Sequence, residues 1–117
     1  MNTIISTCVK KLYEISEILT ELDKSNELSD GYNCAIFCIN DGIETRVHLI
    51  SKYCDETCDD NLCAIICLDQ INSLVSVLNE CSNDAEGLFK KGYAQAVSLF
   101  EEKAKSITNW LEAKAQI

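Results

Sequence analysis

The sequence predicts an all-α protein folded as a compact four-helix bundle, and three observations predict it. No proline and only four glycines occur in 117 residues, a composition suited to long helices and unsuited to β-proteins built on tight turns. Apolar residues recur at alternating spacings of three and four over long stretches, the period that lines one face of a helix. Short polar segments at 25–30, 55–60 and 82–86 separate those stretches, and connections this short fold successive helices back on each other. A chain of this length makes one domain, so residues 1–117 are read as a single helical domain.

The segment 61–81 is the most continuously apolar. Ala64, Cys67, Leu68, Ile71, Leu74, Val75 and Leu78 form its main stripe, while Ile66 and Val77 lie off it. Its second side is thus only half polar, which places it as the central helix, with Ile71, Leu74 and Leu78 in the core. A first helix runs from about Thr3 to Lys24 on the seam Ile5, Cys8, Leu12, Ile15, Leu19 and Leu22. Ser29 is a plausible N-cap for the next helix.

The stretch 32–54 fits two templates. As a helix it carries Ile36, Ile39, Ile43, Val47, Ile50 and Cys54 on one stripe. As strands, 33–39 and 43–50 flank Asp41-Gly42, a hairpin turn signal, giving an α+β alternative with a β-hairpin at 34–50. The helix is preferred because a lone two-stranded ribbon has no sheet to join. Gly42 would then cost about 1 kcal/mol relative to Ala unless a neighbouring helix approaches there.

Asp59 or Asp60 can cap the third helix. Asn83 and Glu86 resemble a capping box opening a long C-terminal helix from about Asp84 to Lys114. Its stripe is Phe89, Tyr93, Ala96, Phe100, Ala104, Ile107 and Leu111. At ~31 residues and ~46 Å it would overhang its partners. The overhang carries Ile107, Trp110 and Leu111, which makes those three the expected interface of a two-fold homodimer.

Nineteen acids and ten bases give a net charge of −9, and residues 12–82 hold fourteen of the acids and three of the bases. This field disfavours nucleic acid and anionic membrane surfaces as partners and suits a basic protein surface. No apolar run approaches the ~18 residues of a membrane span, and a cytoplasmic setting is expected. No N-x-Ser/Thr sequon occurs.

Eight cysteines are present. A chain that is 47% hydrophobic does not need a disulfide framework. Cysteines spaced i, i+4 on one helix tilt the same way and cannot bond each other, so reduced thiols are expected. Cys54, Cys58, Cys63 and Cys67 span the turn between the second and third helices, where thiolates from two helix ends could converge on Zn(II) or Cu(I). The pairs Cys34/Cys38, Cys54/Cys58 and Cys63/Cys67 resemble the cysteine-lined four-helix copper-storage family. The resemblance implies a helical bundle holding Cu(I) on thiolates. It covers those six residues only, since the chain has one Met and one His and fills its stripes with Ile and Leu. Cys34 and Cys38 face away from the Ile36/Ile43/Ile50 stripe.

Nothing in the sequence marks catalysis. His48, the only histidine, falls among polar positions, and no residue is placed to orient it. Pairs such as Glu14/Glu17 and Asp55/Asp59 lack an apolar pocket to split their pKa values. Phosphate loops and basic aromatic patches are missing. The expected function is therefore that of a non-catalytic bundle, without a cofactor, that self-associates and binds a protein partner. Thiol-based metal binding is the alternative. An acidic decoy of a nucleic-acid-binding site is a weaker third, resting on charge alone.

Overall fold

A computed structural model describes residues 2–25, 30–55 and 57–115. Four helices, α1 (Thr3–Ser25), α2 (Asp30–Tyr53), α3 (Asp60–Asp84) and α4 (Leu88–Lys114), pack into a bundle of 47 × 26 × 23 Å. No strand occurs among the described residues, and 34–50 lies wholly within α2, which excludes the hairpin alternative. Ile39, Ile43 and Ile50 bury the α2 stripe, and apolar residues of three other helices cover it, which a free ribbon would lack. The expected cap at Ser29 falls outside the described residues.

Side-chain contacts fix the topology as up, down, up, down. The Tyr13 hydroxyl donates to Glu44 at 3.1 Å, Ser16 bonds Asn40, and the Tyr32 hydroxyl donates to the Leu19 carbonyl at 3.2 Å, so α1 and α2 run antiparallel. Asn2 donates to Asp60 at 2.9 Å, so α1 and α3 start at the same end. The Asn79 amide reaches Glu101 at 3.4 Å across the antiparallel α3/α4 pair. Ile36, Ile43, Ile71, Leu74, Leu78 and Phe100 are all buried in the shared core.

Two glycines permit the close approaches. The buried Gly31 lies directly against the Phe89 backbone, bringing the starts of α2 and α4 together, and Gly42 lies against a methyl of Leu74 on α3. A side chain at either position would overlap its neighbour. The second approach is the condition under which a mid-helix glycine was expected.

The α3–α4 junction differs from the expectation. Helix α3 continues to Asp84, because Ser82 extends the buried face of Ile71, Leu74 and Leu78 and stays helical with it. The Ala85 N–H closes the helix on the carbonyls of Cys81 and Ser82. Gly87, at φ 63, makes the turn, and α4 opens there with no side-chain cap, so the Asn83/Glu86 capping box does not form. Phe89, placed on the stripe by spacing, is 47% exposed. Starting at Leu88 leaves α4 with 27 residues against 25 in α3, about 40 Å against 37 Å. The long overhang is absent.

By length and composition alone α3 is long and apolar enough to cross a membrane. This corrects the expectation that no run approaches a span. In the bundle its Cys67, Ile71, Leu74 and Leu78 stripe packs into the core.

Candidate metal centre

The turn between α2 and α3 gathers three thiols, and local hydrogen bonds explain how. The Cys54 N–H donates to the Ile50 carbonyl at 3.0 Å, holding Cys54 on the last turn of α2. Asp55 then folds the chain back, its carboxylate accepting from the Thr57 N–H at 2.8 Å and the Thr57 hydroxyl at 2.6 Å. Those two bonds hold the exposed Asp55 carboxyl below the usual carboxylate range. The Cys58 N–H donates to the Asp55 carbonyl at 3.2 Å. Asp59 caps α3 as expected, accepting from the Leu62 N–H at 2.8 Å. Cys63 follows on the first turn, its N–H donating to the Asp59 carbonyl at 3.0 Å.

The outcome is that the sulfurs of Cys54, Cys58 and Cys63 lie within 4.8 Å of one another. Cys54 and Cys58 are half-buried, whereas Cys63 is fully buried. No other group of three or more His, Cys, Asp or Glu side chains close enough to share an ion occurs among the described residues. The sulfurs of Cys54 and Cys63 are in direct contact across the turn, with Cα atoms 6.0 Å apart, inside the range that disulfides span. Reduced thiols were expected throughout, and this is the pair placed closely enough to bond if oxidised. The helical i, i+4 argument forbids bonds along one helix, but Cys54 and Cys63 belong to two helix ends that face each other.

The fourth residue of the expected set, Cys67, is not with the other three. One turn deeper along α3 it is wholly buried, and its thiol pairs with Cys8 of α1. That contact and burial push the Cys8 thiol well above its usual range, because a thiolate here would face another sulfur and an apolar core. The pairing has a signal in the sequence. Both residues occupy apolar stripes near the starts of α1 and α3, so two parallel helices bring them to similar depth.

The remaining cysteines lie at the other end of α2 and α3, with Cys34 and Cys81 exposed and Cys38 half-buried. Cys38 and Cys81 lie against the hydroxyl of the buried Tyr93, and burial followed by these thiols raises its pKa. The Tyr93 hydroxyl has no well-formed hydrogen bond. Cys38 and Cys81 also border a groove of about 290 Å³ on the outer face of α2 and α3. Its rim carries Phe37, 75% exposed, and Val77, 43% exposed. Sequence periodicity did not mark this groove, since each residue alone reads as an isolated surface apolar.

Of the three residues assigned to a dimer interface, Ile107 is 3% exposed and Leu111 is 0% exposed within the single chain. The core takes them because α4 starts late and stays in register with α3. Trp110 is half-buried, with the Lys11 ammonium 5.8 Å from its ring centroid. His48, Glu14, Glu17, Asp55 and Asp59 are exposed.

No family model, curated protein or solved structure matches the chain.

Proposed function

We propose that the reduced protein is a non-catalytic binder of a soft d10 cation, Cu(I) or Zn(II), held by Cys54, Cys58 and Cys63. The observation that carries this reading is the convergence of three sulfurs from two helix ends within 4.8 Å. Metal–sulfur bonds of about 2.3 Å in a tetrahedral site put sulfurs ~3.8 Å apart, so closing on an ion takes only small side-chain adjustments. Three thiolates suffice for Cu(I), whereas Zn(II) takes a water or a carboxylate as its fourth ligand. Cys67 is not part of the set. Ligand thiols must be reduced to bind, which fits a cytoplasmic setting.

Elemental analysis of protein purified under reductant without chelator, followed by separate Cu(I) and Zn(II) titrations against competing chelators, tests the reading. One ion per chain, lost in Cys58→Ser, is expected. Failure to take up either ion would end it.

A second reading, self-association and binding of a basic protein partner, is favoured by Phe37 and Val77 beside the α2–α3 groove. Exposed aromatic and aliphatic side chains at a groove rim are what interfaces cover, and the acidic surface would steer a basic partner. Light scattering across micromolar concentrations tests self-association, and a chain that stays monomeric while Phe37→Ser changes nothing would discard it.

A further inference from the structure

We propose that Cys54 and Cys63 form a reversible redox couple whose disulfide and the metal ion are alternative occupants of the same sulfurs, so that oxidation expels the ion. This rests on the metal reading above and adds its regulation. Three facts support it. Two of the three converging sulfurs are in direct contact, and their Cα separation of 6.0 Å lets a disulfide form without moving either helix. The third, Cys58, stays a free thiol in the same turn. Exposure is graded, with Cys54 and Cys58 half-buried and Cys63 fully buried, so an external reagent meets Cys54 before Cys63.

The chemistry balances with a low-molecular-weight disulfide as oxidant. The Cys54 thiolate attacks one of its sulfurs, forming a mixed disulfide and releasing one small thiolate. Cys63 thiolate then attacks the Cys54 sulfur, closing the Cys54–Cys63 bond and releasing the second small thiolate. Each protein sulfur loses one electron, and the two electrons reduce the small disulfide to two thiolates. Both ligands have then lost the lone-pair charge that held the cation. Cys58 alone does not hold it. Two equivalents of a small thiol reverse the sequence and restore the site.

The test uses the full chain carrying Cys34→Ser and Cys81→Ser, which removes the two exposed thiols outside the centre. Zn(II), which has no redox chemistry of its own, is loaded onto the reduced protein. Glutathione disulfide is then added while a chromogenic chelator reports free zinc. Cleavage before Asp55, Asp59, Asp60 and Asp69 puts Cys54 and Cys58 on separate fragments and leaves Cys63 with Cys67 on residues 60–68, so tandem mass spectrometry of that fragment identifies which of the two is bonded. The expected result is release of the bound zinc in step with a Cys54–Cys63 cross-link, and rebinding after addition of thiol. In Cys63→Ser the mixed disulfide should persist on Cys54. As this variant replaces a buried residue, Cys58→Ser serves as a second, in which the same cross-link should form although no zinc is held. Zinc that stays bound after oxidation, or a bond to Cys58 or Cys67 in place of Cys63, overturns the switch and leaves the metal reading intact. Reduced protein that takes up no zinc overturns the switch, and reduced protein that takes up neither zinc nor Cu(I) overturns the metal reading as well.

Discussion

Replacing Gly31 by alanine should destabilise the bundle, while the same change at Gly42 should be nearly neutral. The contrast follows from what each new methyl would meet. At Gly31 it would overlap the Phe89 carbonyl oxygen and backbone carbons, which cannot rotate away, so α2 and α4 must separate at their starts. Overpacking a close contact costs about 1–3 kcal/mol, and an unyielding backbone belongs at the upper end. Alanine returns less than about 1 kcal/mol of helix propensity in the first turn. The net loss is then about 2 kcal/mol. At Gly42 the obstacle is a terminal methyl of Leu74, and moving that side chain off its rotamer costs about 0.5–1.5 kcal/mol. The mid-helix propensity gain is about 1 kcal/mol, which roughly cancels it. Urea unfolding of both variants under reductant, followed by far-ultraviolet circular dichroism, measures the difference. Gly31 lies ~35 Å along α2 from Cys54, so zinc uptake by Gly31→Ala should match the parent protein. A Gly31→Ala protein as stable as the parent, or a larger loss at Gly42 than at Gly31, would refute the close α2/α4 contact.

Ile71→Ala should cost about 2–5 kcal/mol because the side chain is fully buried, and Glu14→Ala, on the exposed face of α1, should change stability by less than ~0.5 kcal/mol. Both are read from urea midpoints. In a thiol-reagent time course Cys34 and Cys81 should react first, and Cys8 and Cys67 only on unfolding, since the former pair is exposed and the latter buried. Stability should fall as pH rises above the ordinary cysteine value of about 8.5. The unfolded chain releases the Cys8 proton there while the folded chain, whose Cys8 pKa is raised, keeps it. The slope from this one group approaches 1.4 kcal/mol per pH unit and should flatten in Cys8→Ala. Phe37→Ser should leave the urea midpoint almost unchanged, because Phe37 is 75% exposed, and should weaken any self-association seen by light scattering.

The all-α class, the stripe of each helix and the Asp59 cap were legible in the sequence because they depend on residues three and four apart, or within one turn. The stripe from Ile36 to Ile50 outweighed the Asp41-Gly42 turn signal because a lone two-stranded ribbon has no sheet to join, and the close approach of Leu74 explains the glycine left in mid-helix. Where α3 ends was not legible. Ser82, Asn83 and Glu86 have the types of a cap, yet Ser82 continues a buried face and Gly87 alone supplies the backbone geometry of the turn. That boundary decided where Ile107 and Leu111 went, placing them in the core instead of on an overhang.

The thiols divide the same way. Spacing alone brought Cys54, Cys58 and Cys63 to one turn, since the connection between α2 and α3 is too short to carry them apart. Spacing also put Cys67 in that set, but a helix rotates successive positions and carries depth with it, so Cys67 left the turn and met Cys8 on a helix more than 50 residues earlier in the chain. Which sulfur faces which depends on how two helices far apart in sequence are rotated and raised against each other. Local periodicity contains neither quantity, and only the packed bundle sets them.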